Sequence, residues 1–444
     1  MRLIVSKTLL FTLLFFSFSM QAQEQEWSLE KCIYHAMEAN ILVNQTLLMV
    51  KDAEATLSQS RQNRLPNLSG NTGVSWNFGR TIDPTTNNFV TQSFFSNSYG
   101  VNSGFTLYNA GAINKTIKQS ETNLKALIQD KEQAKIDVSL QVANAFLQVL
   151  FAKENIQIAE KQLDLSQQQL DQINKSINAG ITPAAERLNL LAQVKQSQQA
   201  LIDAENNDEI ALLNLKQLLR LPPDEDMVII VPEDITHDTD PDLITFGEAY
   251  ESAQLNRPDL IAGDLRVKSA EMGVELAKTS YYPSIGVGGS LNTNYAELEG
   301  FTSDDYTTQL DNNLSYGFGA QVSIPIYSNG STRANVERAK INVENSKLGY
   351  EQILETLKLN VQQALANARA SKKRLEASEE AYNAQKLAFD NTSKRLEIGA
   401  ANTFEWESQK TQMENAEITK LMDKYTYLFN IKILEFYLGK PLKL

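Results

Sequence analysis

The chain writes one pattern twice, and each copy sets two charge-free alternating segments ahead of a very long pair of helices. Ser28-Leu29-Glu30 aligns with Thr245-Phe246-Gly247, and Leu65-Pro66-Asn67-Leu68 with Tyr282-Pro283-Ser284-Ile285, both at an offset of 217 residues. Further on, Tyr108-Asn109-Ala110-Gly111 meets Tyr327-Ser328-Asn329-Gly330, and Gly180 meets Gly399, both at 219. A period this long excludes a short-unit solenoid, whose repeat is tens of residues. It implies two pseudo-equivalent halves, residues 23–220 and 245–444, joined by a segment at 221–244. Each half runs short helix, helix, strand pair, long helical hairpin.

The strand pairs are read at residues 68–78 and 99–108, then 285–295 and 314–326. Each alternates with period two, apolar on one face and Gly, Ser or Asn on the other, which suits a half-buried soluble sheet or a membrane barrel. Charge separates the two. The four segments together hold 45 residues without one Asp, Glu, Lys or Arg, in a chain that is 21% charged. A soluble sheet puts charges on its wet face and edges, whereas Arg or Lys at mid-bilayer costs roughly 2–4 kcal/mol. Each strand is about 10 residues, enough to cross a bilayer with tilt. Val74, Trp76, Phe78, Val101, Phe105, Leu107, Val287, Leu291, Tyr316, Phe318 and Val322 are therefore read as facing lipid. The small polar residues between them are read as facing a wet lumen. Four strands fall short of the about eight that close a barrel, and open edges in lipid leave backbone groups unpaired. Several copies must pool their strands. The polar connections at 79–97 and 296–313 are expected to be the long, outward-facing loops.

Between Ala112 and Asn178 lie 67 residues without Pro or Gly, roughly 100 Å of helix at 1.5 Å per residue. Gly180-Ile181-Thr182-Pro183 breaks the run, Pro183 suits the first turn of a new helix, and 184–219 returns. The second half repeats this with 332–398, the turn Gly399-Ala400-Ala401-Asn402, and 403–438. Leu163, Leu170 and Ile177 are seven apart, and Leu188, Leu191 and Val194 three apart, a coiled-coil-like stripe. The linker 221–242 holds four of the 11 prolines and eight acidic residues with no Lys or Arg. Residues 227–231 are read there as a short strand. Thr245 and Glu248 form a capping box for the next helix.

Arg2 and Lys7 precede the apolar run Thr8–Met20, and Ala22 supplies a small residue for cleavage, so residues 1–22 read as a secretory signal peptide. Without Arg2 and Lys7 the formal charge moves from −13 to −15, which argues against nucleic acid as a partner. Cys32 is alone, so no intrachain disulfide forms. His35 and His237 are the only histidines, too few for a His-rich metal site, and Cys32 and His35 are read as packing residues. Gly286-Val287-Gly288-Gly289 lies inside an alternating strand, without the strand–turn–helix context of a nucleotide loop. No catalytic constellation, cofactor site or metal site is read from the sequence.

The duplicated order, with Asn256-Arg257-Pro258-Asp259-Leu260, the Leu65-Pro66 and Tyr282-Pro283 strand openings and Val322-Ser323-Ile324-Pro325-Ile326-Tyr327, resembles the TolC family of outer-membrane efflux proteins. The glycine turns followed by glutamate, Gly180 to Glu186 and Gly399 to Glu405, belong to the same likeness. The resemblance implies a mixed α and β membrane protein: a homotrimer whose 12-stranded outer-membrane barrel continues into a periplasmic α-helical tunnel. It implies an exit duct of a tripartite efflux or type I secretion system, not an enzyme. Its partners would be a periplasmic adaptor (membrane fusion protein) and an inner-membrane transporter of RND, ABC or MFS type. The adaptor would dock on the turns Gly180, Ile181, Thr182, Pro183 and Gly399, Ala400, Ala401, Asn402. Glu186 and Glu405 would line the periplasmic mouth, where a carboxylate ring favours cations. The family's tyrosine and arginine latch positions read Leu396 and Ala401 here, and its second acidic ring position reads Ser408. A latch must then use other residues, with Lys394, Arg395 and Glu407 the nearby candidates. The alternative reading, a trimeric coiled-coil adhesin, would place its strands in one C-terminal block, unlike the split pairs here.

Overall fold

The computed structural model describes residues 26–440 apart from 83–85, 92, 181–182, 231–238, 256 and 299–303. The readings made on the leader, on Ile181 and Thr182, and on His237 and Asn256 fall outside the described residues. The elements, in chain order, are β1 (Glu26–Trp27), α1 (Leu29–Ala39), α2 (Ile41–Gln62), β2 (Asn67–Asn77), β3 (Arg80–Ile82) and β4 (Phe89–Thr91). There follow β5 (Phe94–Tyr108), α3 (Ala112–Asn178), α4 (Glu186–Leu219), β6 (Val228–Ile229), α5 (Phe246–Gln254) and α6 (Pro258–Lys278). The last are β7 (Ser284–Leu298), α7 (Tyr306–Asn312), β8 (Ser315–Ser323), α8 (Ser331–Glu397) and α9 (Thr403–Tyr437). Helices α3 and α8 are each 67 residues, and α4 and α9 are 34 and 35. The chain divides into two compact units, each drawing on both sequence halves: 1–45 with 132–257 and 355–444, and 46–131 with 258–354.

In the second unit β2, β5, β7 and β8 form one antiparallel sheet in the order β2-β5-β7-β8. Opposed residues in such a ladder share a face. Trp76 opposes Phe95, Val101 opposes Leu291, Phe105 opposes Val287, Leu291 opposes Tyr316, and Ile285 opposes Val322. The apolar positions of all four strands thus lie together, and Asn71, Gly100, Asn102, Asn292 and Ser315 share the other face. Asn102 Nδ2 donates to Asn71 Oδ1 at 2.9 Å across that polar face. Leu107 falls at a bulge between Thr106 and Tyr108, so alternation does not place it, and Phe78 lies one residue past β2.

Three strand-region readings change. The fourth strand stops at Ser323, not Ile326, because Pro325 has no N–H for a ladder. The connection at 79–97 is part hairpin, with β3 paired to β4 and β5 starting at Phe94. The connection at 296–313 contains helix α7. The β7–β8 register ends at Asn292, and α7 covers the edge of β7 beyond it. Gln309 accepts from Ala296 N at 2.9 Å and donates to Ala296 O at 3.0 Å, and Asn313 Nδ2 donates to Asn294 O at 2.7 Å. Side-chain amides there take the place of a neighbouring strand. In the same unit α2 meets α3 through Arg61–Glu121 at 2.8 Å, and α6 meets α3 through Gln119 Nε2 donating to Ser269 O at 3.0 Å.

The first unit packs α1 and the strand pair β1–β6 on the long helices. Trp27, Leu29, Cys32 and Ala36 join Val142, Phe146 and Leu150 of α3, Leu215 and Leu219 of α4, and Leu428 of α9 in one buried core. β6 pairs in parallel with β1, Trp27 to Ile229, so of the short strand read at 227–231 the described part is Val228–Ile229. His35 meets Trp27 edge-on with ring centroids 5.3 Å apart. The capping box at Thr245 and Glu248 is present, with both reciprocal hydrogen bonds. The acidic linker is tied down by Lys372, 2.8 Å from both Asp240 and Asp242. The inward stripe of α4 is Leu190, Val194, Ser197 and Ala204, spaced four, three and seven. Leu188 and Leu191 lie off it and are exposed on this chain, so within one subunit only Val194 of that stripe is buried. Pro183 lies before α4 rather than in it, since the helix opens at Glu186 with Ala185 at its N-cap.

Candidate functional site

The two helical turns close differently. Gly399 has φ of +73° and Gly180 +72°, left-handed conformations that glycine adopts without strain. At the second turn Gly399 N donates to Leu396 O at 3.0 Å and Ala400 N to Arg395 O at 2.7 Å. This pair is the Schellman motif that ends a helix on a glycine. Asn402 then caps α9, its Oδ1 accepting from Glu405 N at 2.8 Å. Arg395 Nη1 reaches Glu405 Oε1 at 2.6 Å, and its Nη2 donates to Ala400 O at 3.1 Å. Arg395, Ala400 and Glu405 therefore zip one turn shut within a single hairpin. At the first turn Gly180 N donates to Ile177 O at 2.9 Å, and Glu186 N to Pro183 O at 3.2 Å. No side chain caps α4 at Ala185.

Glu186 of α4 is close enough to Glu407 of α9 for its charge to act on that carboxyl. Burial first, then the Glu186 charge, raises the Glu407 carboxyl above its ordinary value, against the pull of Lys410. Glu407 Oε1 is buried without a hydrogen-bond partner among the described residues. Leu396 packs against Ile173, Leu190, Phe389 and Trp406, a buried cluster drawn from α3, α4, α8 and α9. Trp406 Nε1 donates to Ser393 Oγ at 3.0 Å. Ser408 only accepts from Gln412 Nε2 at 3.3 Å on the exposed side of α9.

Reading the sequence missed Lys410, which is fully buried. The signal was present: Thr403, Trp406 and Lys410 follow the three-then-four spacing of a packed helical stripe, so Lys410 occupies a core position. Its partner Ser166, and Ser197 bonded to that serine, lie on helices that only the folded chain brings together.

A four-stranded sheet with one apolar and one small-residue face, and two long helical hairpins, are the features with which known proteins can be compared. The family described as "Outer membrane efflux protein" matches residues 32–219 and 249–440. The chain belongs to that family, and it is an efflux channel of the outer membrane. The chain is 25% identical over 409 residues to the Toxin and drug export protein A of Aggregatibacter actinomycetemcomitans, covering 89% of this chain and 85% of that one. It is 22% identical over 387 residues to outer membrane protein OprJ of Pseudomonas aeruginosa, covering 84% and 76%. The Campylobacter jejuni CmeC outer membrane channel has the same fold, with a TM-score of 0.76 at 19% identity over 93% of this chain and 85% of that one.

Proposed function

We propose that three copies of this chain form a 12-stranded barrel with the apolar sheet face toward lipid and the Asn, Ser and Gly face toward a water-filled lumen. The observation that carries this is the register: it gathers the apolar positions of four strands on one face while β2 and β8 stand at the sheet margins. In lipid those margins require a partner strand, and a second copy presents the complementary edge. The trimer is a passive exit duct for cargo delivered by a periplasmic adaptor and an inner-membrane transporter. The turns at Gly180 and Gly399 are the adaptor's docking points, and Glu186, Glu405 and Glu407 supply the acidic groups of the periplasmic mouth. Single cysteines on β2 and on β8, combined in one chain, should crosslink detergent-extracted protein into a closed trimer. A mature protein recovered as a detergent-independent monomer would overturn the proposal.

A further inference from the structure

We propose that Lys410 is the positioning residue that holds the turn-proximal end of hairpin α8–α9 in register with hairpin α3–α4, the task that Leu396 and Ala401 lack the polar groups to perform. Glu154 with Lys424 and Tyr425 ties α3 to α9 further from the turn. Lys410 of α9 has no solvent-exposed surface. Its Nζ donates to Ser166 Oγ of α3 at 2.7 Å and lies 2.8 Å from Glu414 Oε1, one turn along its own helix. Ser166 Oγ also stands 2.8 Å from Gln162 O and 2.9 Å from Ser197 Oγ of α4. A serine hydroxyl has one proton and two lone pairs. Gln162 O can only accept, so Ser166 donates to it, and its two lone pairs receive Lys410 and Ser197. Three helices therefore meet on one saturated oxygen.

The alternatives nearby do not make this connection. Arg395–Glu405 joins α8 to α9 inside one hairpin. Leu396 contributes only packing. Packing of similar apolar side chains tolerates a shift by a residue, whereas an ammonium facing one hydroxyl does not. A buried ammonium must stay paired, and Glu414, one turn ahead on α9, travels with it. Sliding α9 against α3 thus breaks the Ser166 bond without stranding the charge, so the contact can release. Nearer the turn, Glu186 and Glu407 oppose each other, a repulsion between α4 and α9 that the Lys410 contact restrains.

A role in gating rests on the channel reading above together with a mouth that is closed at rest, as the family resemblance implies, so the test separates the two. Ser166→Ala and Lys410→Met are compared with wild type in planar bilayers, and amide exchange is followed over 160–200 and 403–415. Ser166→Ala should raise the occupancy of the open mouth about tenfold, the size of a lost hydrogen bond to a charged group, and speed exchange in both segments. Ser166→Thr, which keeps the hydroxyl, should restore wild-type behaviour. Faster exchange with unchanged conductance would overturn the gating role, and unchanged exchange in Ser166→Ala would overturn the contact itself. Should Lys410→Met fail to assemble, Ser166→Ala decides alone. Wild-type protein that never conducts would instead overturn the channel reading, with the exchange data still judging the contact.

Discussion

Buried ionisable groups set the terms at the residue scale, and Cys32 is the simplest case. It has no exposed surface in the core beneath α1, and burial pushes its thiol up to about 12. Only the thiolate reacts, so iodoacetamide at about pH 8, below even the ordinary thiol pKa, should leave Cys32 unlabelled in the folded protein and label it after denaturation. Mass spectrometry reads the difference, and rapid labelling of folded protein would contradict the packing of α1. Glu407 is the case with a pH signature. Folding raises its carboxyl, so the ionised form is disfavoured in the fold. That penalty is in force above the folded pKa and is relieved as pH falls through it toward the unfolded value. Glu407→Gln removes the penalty at pH 7. The gain should be below about 1 kcal/mol, since the site is partly solvated, and should shrink toward about pH 4. Thermal melting at the two pH values checks it, and a variant less stable than wild type at pH 7 would mean the carboxylate makes a favourable contact.

At the scale of elements, the turns are the exposed joints of the long hairpins. A Cβ added at Gly180 or Gly399 meets nothing within 4 Å, so alanine there is strained only by its left-handed backbone, roughly 1–2 kcal/mol. Gly399→Ala should therefore loosen its turn without a steric clash, and hydrogen exchange of Ala400 and Ala401 should quicken while the sheet is unaffected. Exchange unchanged at those amides would show the Schellman bonds do not depend on the glycine. Much of this level was legible in the sequence. Period-two runs without charge gave the four strands, and Pro/Gly-free stretches bounded by Gly180 and Gly399 gave the hairpins, because those features act locally. The unread parts depend on neighbours. Helix α7 exists where the β7 edge outruns β8, and nothing in 306–312 announces an edge to cover. Leu188 and Leu191 share the spacing of a seam but not its burial within one subunit, because apolar spacing alone cannot choose between adjacent faces of a helix. Spacing with Thr403 and Trp406 marks Lys410 as a core position, but its partner Ser166, 244 residues earlier, is set only by the fold.

For the molecule as a whole, the two faces of the sheet make opposite demands, and one pair of neighbouring positions tests them. Phe318 is 97% exposed on this chain, on the apolar face with Leu291 and Val322. Gly317 sits one residue earlier on the polar face opposite Ser290, and a Cβ there meets nothing within 4 Å. Neither side chain packs against the described chain's core, so a soluble-sheet account expects arginine to be tolerated equally at both. The barrel account does not. Arginine at 318 would point into hydrocarbon at a cost of roughly 2–4 kcal/mol if near mid-bilayer, and assembled trimers should fall steeply. Arginine at 317 would enter the lumen, where the paired β7 and β8 positions sharing its face are Gly, Ser, Asn and Gln. It should leave assembly intact and shift selectivity toward anions by placing three positive charges in an otherwise neutral ring. Quantifying trimers in the outer-membrane fraction, and reversal potentials for Gly317→Arg in planar bilayers, reads both arms. Equal trimer yields for the two variants would remove lipid from the apolar face.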